Sequence, residues 1–237
     1  MAIITAPSYR GAGTIASSTS GGVTIAQPTT VAINDILIIV ICTANDVFAT
    51  WPPTGWTLVP NPPTGFGTAG AAGGIRLSIA WKRATATTGN AVTTGNPGGT
   101  NNYTVAQMFA FQGIARRGDP WEASATSNQT TASTTVAMDS VTTLGQARHI
   151  VYCIAGDNDT ASTAQVTAAT GTGVTNFAER TDNWVTSGAG GGIWMGTGDK
   201  ATAGLAGGAG GSIVNQVYSK WTGALRPVEP VSRSIIF

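Results

Sequence analysis

Charge is what this chain has least of. Only 10% of its 237 residues are Asp, Glu, Lys or Arg, against roughly a quarter in an average soluble domain. The 12 basic and 11 acidic side chains nearly cancel, to +1. A surface that neutralises phosphates needs clustered Lys and Arg. The basic pairs here, Lys82–Arg83 and Arg116–Arg117, stand apart in the sequence and read as solvated strand or turn ends. No nucleic-acid partner is expected. Histidine is scarcer still, with His149 alone. A Ser-His-Asp triad would have to use it, yet no G-x-S-x-G elbow accompanies it. One His and two separated Cys give no zinc-ligand spacing. Beside Arg148 at the start of an apolar run, His149 reads as a partly exposed structural residue. Long apolar runs are also missing: none approaches the roughly 20 residues of a membrane-spanning helix. Met1–Gly13 has neither a basic start nor a long apolar stretch of the kind a secretory leader needs. No membrane partner and no cofactor are expected.

What the chain does have is glycine, 32 residues of it, and short apolar runs rich in β-branched residues, each ended by turn formers. The most apolar is Asp35–Asp46, D-I-L-I-I-V-I-C-T-A-N-D, in which Ile36–Ile41 show no polar alternation. Such a run marks a strand buried on both faces. Its design returns at Ile150–Asp157, I-V-Y-C-I-A-G-D, so that Cys42–Asp46 and Cys153–Asp157 share Cys-x-Ala-(Asn/Gly)-Asp. Two further matches follow in the same order. Gly73-Gly74-Ile75 before Lys82 corresponds to Gly191-Gly192-Ile193 before Lys200, and Val105–Phe109 corresponds to Val214–Tyr218. The chain therefore reads as all-β, a jelly-roll or Greek-key sandwich of two pseudo-repeated halves of about four strands. Neither half could bury both faces of its sheet alone. Residues 1–21 read as an extended N-terminal arm without a core, 22–226 as the sandwich and 227–237 as a C-terminal tail. On that reading, removing the arm leaves the sandwich folded.

Few residues invite chemistry. Gly65-Phe66-Gly67-Thr68-Ala69-Gly70 matches the dinucleotide fingerprint in letters only, because prolines precede it and glycines follow where a strand and a helix are required. Gly196–Lys200 lacks the spacing of a phosphate loop. Asp46, Asp157 and Asp159, at the ends of the two echoed runs, are the only candidates for a hard-cation site. Their alternative is ordinary turn chemistry. Asp139, Glu179 and Asp182 show no spacing that marks a glycosidase pair. Cys42 and Cys153 read as buried free thiols, with a disulfide open only if their strands are neighbours. Trp51, Trp56, Trp184 and Trp194 flank Gly-rich loops and are the candidates for stacking on a sugar.

Several stretches carry a resemblance. Ile33-Asn34-Asp35-Ile36-Leu37, Pro53-Thr54-Gly55-Trp56-Thr57-Leu58-Val59, Leu77–Ala84, Phe109-Ala110-Phe111-Gln112-Gly113 and Asp119-Pro120 together resemble a group of tailed-bacteriophage virion proteins. The resemblance spans roughly residues 22–225 and rests on strand and turn patterns. It departs at Asn34, where that family usually has Gly before the Asp. It implies a non-enzymatic, β-rich surface component of a phage particle: a capsid decoration or cement protein, a spike or fibre base, or a tail-associated equivalent. It further implies synthesis in the host cytoplasm and location in the virion. The implied partners are copies of itself, with a trimer among the options, and the major capsid or tail proteins. A carbohydrate-binding adhesion module, with a host surface glycan as partner, is the alternative function.

Overall fold

The computed structural model describes residues 4, 6–19, 21–98, 103–157, 165–186 and 190–228. Among them there is no helix. The first half contains β1 (Ser8–Ala12), β2 (Ala16–Ser18), β3 (Thr24–Ile25), β4 (Ile36–Thr43), β5 (Thr57–Leu58), β6 (Arg76–Arg83), β7 (Val92–Thr93) and β8 (Thr104–Gln112). The second contains β9 (Trp121–Ala137), β10 (Val141–Thr143), β11 (Arg148–Gly156), β12 (Thr167–Gly171), β13 (Thr175–Val185), β14 (Gly191–Lys200), β15 (Gly204–Ala206) and β16 (Ala209–Leu225).

The duplication read from three sequence matches extends to most of the topology. In the first sheet β4 lies between β6 and β8, with β5 outside β6 and β1 and β2 outside β8. In the second, β11 lies between β14 and β16, with β13 outside β14 and β9 outside β16. The two small ribbons correspond as well. β3 precedes β4 and pairs with β7, and β10 precedes β11 and pairs with β15. The long β9 takes the place of β1 and β2 together. β12, paired with the first part of β16, has no counterpart.

Four layers result. The two sheets face each other over a core in which Ile38, Val40 and Cys42 of β4 meet Val151, Cys153 and Ala155 of β11, with Phe109, Met195 and Trp221 among them. The outer face of the first sheet, through Leu37, Ile39 and Ile41, is covered by Val23, Ile25 and Val92 of its own ribbon. The outer face of the second, through Ile150, Tyr152 and Ile154, is covered by Val141 and Ala206 of its ribbon. Each half thus buries one face of its sheet by itself and the other only against its twin. This is why Ile36–Ile41 show no polar alternation: both faces of β4 are interior.

Two expectations change. Each main sheet has six strands rather than about four, because short or polar strands such as β2 and most of β9 leave no hydropathy signal. The arm assigned to residues 1–21 also joins the sheet. Tyr9 pairs with Phe111 and Ala16 with Ala106, so β1 and β2 close the exposed edge of β8. Arg10 Nε lies 2.6 Å from Asp35 Oδ2, and Asp35 is buried. Removing the segment would strip that edge and leave a buried carboxylate unpaired. In the tail, Val228 N–H donates to Gly113 O at 3.0 Å. Residues 229–237 lie outside the described residues.

The turn into β4 explains the one departure from the resembling family. Asn34 has φ +73°, a left-handed conformation that Gly adopts freely and Asn tolerates better than other side chains. Asn34→Gly is expected to stay within about 0.5 kcal/mol of the parent, and Asn34→Ala to lose about 1 kcal/mol. Urea unfolding of the two variants checks this; equal stability for Ala and Asn would refute it.

Candidate functional site

β4 and β11 lie in opposite sheets yet run in the same direction, so the ends of the echoed runs come together at one pole of the sandwich. Tyr103 joins them there. Cys42 Sγ–H points at Tyr103 OH, 3.5 Å away, and at Gly156 O, 3.8 Å away. A side chain on Gly191 would strike the Tyr103 hydroxyl. Burial, then the charges of Cys42, Asp157 and Asp46 nearby, raises the Tyr103 phenol well above its ordinary value. Asp46 and Asp157 therefore share this pole across the two sheets. Asp46 is buried, which pushes its carboxyl up, while Arg76 pulls it back down. Its Oδ2 has no hydrogen-bond partner among the described residues. Asp157 Oδ1 accepts from Val217 N at 3.2 Å, a cross-strand contact that continues the β11–β16 pairing. Asp159 lies outside the described residues. Among the described residues no three His, Cys, Asp or Glu side chains converge as metal ligands.

The opposite pole holds His149, and here the expectation of partial exposure fails: its side chain is only 3% exposed. Nδ1–H donates to Asp199 Oδ1 at 2.7 Å, and Phe111 of the facing sheet packs against the ring at 5.7 Å. That hydrogen bond, with a second from Asn176, holds Asp199 below the usual carboxylate range despite its burial. Nε2, the nitrogen a catalytic triad would turn toward a serine, is buried and has no hydrogen-bond partner among the described residues. The dyad joins β11 to β14. Arg180 extends the junction, lying 4.3 Å over the Tyr9 ring.

The remaining acidic residues are tied to structure. Asp139 pairs with Lys220 at 3.1 Å. Glu179 and Asp182, far from any catalytic spacing in sequence, are neighbours on β13. Burial raises both, and each feels or binds a tryptophan: Trp194 Nε1 donates to Glu179 at 2.8 Å, and Trp184 Nε1 donates to Asp182. Their role is to satisfy buried indoles. Accordingly Trp184 and Trp194 are buried, as is Trp56 beneath Lys82, and none offers a ring face to a sugar. Only Trp51 of the four is partly exposed, and it packs against Phe48.

Both cysteines are free and buried in the inter-sheet core. Burial pushes the Cys42 thiol up to about 12 and Cys153 higher still, so neither is a nucleophile at neutral pH. Gly65–Gly70 forms a turn-rich loop in which Phe66 and Ile75 exchange backbone hydrogen bonds, with no helix behind it. Gly196–Lys200 is interior and end of β14. A groove of about 330 Å³ lies beside β9. Its Trp121 is buried, its Glu122 is held by Arg148, its Asn61 donates to Ser124, its Ser124 donates to Pro60 O, and its Asp119 accepts from Trp121 N, so its polar groups serve the fold.

The feature that sequence reading missed is the placement of charge. Arg10–Asp35, Arg148–Glu122 and Arg180 with Asp199 neutralise one another at the His149 pole. There remain Lys82, Arg83, Arg116, Arg117, Lys200 and Arg226 against Asp119 alone, a surplus of +5 at that pole. Elsewhere Arg76 offsets Asp46 and Lys220 offsets Asp139; Asp157, which accepts from Val217 N, and Glu179 and Asp182, which accept from buried indoles opposite the middle of β14, together count −3. Asp159, Glu229 and Arg233, outside the described residues, bring the total back to +1. A search of protein families, curated proteins and solved structures finds no match to this chain.

Proposed function

We propose that the protein is a non-enzymatic structural component of a bacteriophage particle, an exterior capsid decoration or cement protein, a spike or fibre base, or a tail-associated equivalent. It assembles with copies of itself and with the major capsid or tail proteins. The observation that carries this reading is where the family-like residues fall. Asn34 and Gly113 occupy left-handed positions, with φ +73° and +74°. In Pro53–Trp56, Gly55 has φ +80° and Trp56 N–H closes the turn on Pro53 O at 2.9 Å. Asp119 caps the start of β9 by accepting from Trp121 N at 3.0 Å. These residues set the turns of a duplicated scaffold, so the resemblance rests on positions that the backbone demands. The ion-paired and indole-bound groups support the same reading, since Asp35, Glu122, Glu179, Asp182 and Asp199 hold strands or indoles in place.

Particles purified from the genome that encodes this chain test the proposal. Antibodies against the recombinant protein should label intact particles at regularly repeated positions, and the chain should appear in their protein content in many copies. Its absence from infectious particles would overturn the proposal.

A further inference from the structure

The duplication that builds the core also repeats at the surface of the His149 pole. Cys153 follows Cys42 by 111 positions, and Leu144 follows Ile33 by the same interval. Both stand in the turns that lead into the central strands β4 and β11, and both are exposed, Ile33 by 60% and Leu144 by 84%. On the neighbouring strands Lys200 follows Lys82 by 118 positions, the interval between Leu77 and Met195, which pair with the two cysteines. A single exposed aliphatic is ordinary. Here the same position is exposed in both halves, with cations between. Ile33 lines a hollow with Arg116 and Val228, and beside it Arg83 Nη1 donates to Asn34 O at 3.3 Å. Across the pole Arg226 N–H donates to Pro120 O at 2.9 Å. Two residues on, Glu122, neutralised by Arg148, accepts from the N–H of Leu144.

Among the described residues no carboxylate pairs with Lys82, Arg83, Arg116, Arg117, Lys200 or Arg226. Lys82 and Arg83 are also part-buried, and loss of water alone pushes their pKa down. A cation that has lost water without gaining a counter-charge is one that an anionic partner stabilises. We propose that this pole is a docking surface for a protein face that presents carboxylates around an apolar centre. Charge complementarity selects the carboxylates, and four of the six cations are arginines, whose planar guanidinium meets a carboxylate with two parallel N–H donors. Ile33 and Leu144 meet the apolar centre. A nucleic acid would call for exposed rings on which bases stack, and a lipid surface for Trp or Tyr at its boundary. Among the described residues no aromatic side chain is exposed. This contact requires nothing of the particle reading and stands or falls apart from it.

Fluorescence anisotropy with the purified full chain tests it, using two labelled peptides of equal length and charge, one repeating Glu-Glu-Leu and the other Glu-Glu-Ser. At an ionic strength of roughly 0.01 M, where the screening length is about 30 Å, both should bind; at roughly 1 M, where it is about 3 Å, binding should be lost. R116E/R117E, in an exposed loop, should weaken both peptides by about tenfold or more. The leucine peptide should bind roughly tenfold tighter than the serine peptide, and I33S/L144S should remove that advantage while leaving the serine peptide unchanged. R116A/R117A should weaken binding less than the charge reversal and guards against a misfolded variant; near-ultraviolet circular dichroism of the buried tryptophans reports the fold. No peptide binding at low salt, or binding that survives R116E/R117E, would overturn the proposal. Equal binding of the two peptides would reduce the pole to a bare polyanion site and overturn it as well. So would tighter binding of a single-stranded oligonucleotide, or of vesicles made of phosphatidylcholine and phosphatidylserine in equal parts, than of the leucine peptide.

Discussion

Trp221→Ala is expected to destabilise the protein by about 3–5 kcal/mol, the range for truncating a buried tryptophan. Trp221 is fully buried on β16, with its ring in the core shared by the two sheets. It meets Trp121 edge to face at 4.9 Å, and its Nε1–H donates to Pro60 O at 3.0 Å, which ties the second sheet to a loop of the first half. The backbone is fitted around it, since a side chain on Gly223 would strike the ring. Relaxation around the vacated volume is therefore restricted, and the cost should fall in the upper part of the range. For a chain of this size the melting temperature should drop by roughly 6–20 °C. Trp221→Phe keeps most of the packing, loses only the indole hydrogen bond, and should cost about 1–2 kcal/mol. The double variant with Trp121→Ala should lose less than the two single losses together, because both remove the same contact. Thermal and urea unfolding measure all three; a loss below about 1 kcal/mol for Trp221→Ala would refute the role assigned to this ring.

Arg148→Ala should cost a similar amount, about 3–5 kcal/mol, because it leaves the nearly buried Glu122 without its partner. The pair is bidentate: Nε lies 2.5 Å from Oε2, and Nη2 3.1 Å from Oε1. Nη1 donates to Gln146 O at 2.6 Å, so one side chain joins β9, β11 and the turn between them. The same pair has a pH signature. Burial pushes the Glu122 carboxyl up, but hydrogen bonds and charge from Arg148, with the N–H groups of Leu144 and Gly145, outweigh it and hold the group below its ordinary value. A carboxylate whose folded pKa lies below its unfolded one stabilises fully above the unfolded value, about 4.3 for glutamate, and loses that contribution as pH falls through the folded value. Wild type should therefore shed stability in that acidic window, and Arg148→Ala, already without the interaction, should show a shallower slope there. Parallel slopes would show that the pair does not govern the acid limb. Replacing both partners by hydrophobic residues of similar size should recover most of the loss, since no buried charge is then left alone.

The residues that were legible are those whose surroundings are written in their own neighbours. Ile36–Ile41 declare a doubly buried strand by lacking any polar residue, and the Cys-x-Ala-x-Asp echo declares its twin, because equivalent strands in a duplicated fold meet equivalent constraints. β9 was legible only at its end. Its Ser, Thr, Asn and Gln residues pair along β16 through main-chain hydrogen bonds, which any side chain permits. The same reason hid β1 and β2 inside an apparent arm, where Gly11, at the bulge in the pairing, looks like a linker residue. His149 was misjudged because its cover comes from Phe111 on the other sheet, 38 positions away in sequence. The tryptophans offered as sugar platforms were misjudged likewise: the carboxylates that satisfy Trp184 and Trp194 stand on β13 and give no sign of that pairing in the sequence.

By itself the sequence determined the all-β class, the duplication and its lead strands, the burial of Cys42 and Cys153, and the scarcity of charge. All of these depend on local pattern and composition, which the order of residues states directly. Only the tertiary structure decided which pairs share a site. Register and sheet packing bring Asp46 to the pole of Asp157, Asp199 to His149 and Glu122 to Arg148. They also gather Lys82, Arg83, Arg116, Arg117, Lys200 and Arg226 at one end of the molecule. Two sheets running in the same sense can do this because every strand carries its first and last residues to opposite ends of the molecule, however far apart they stand in the chain.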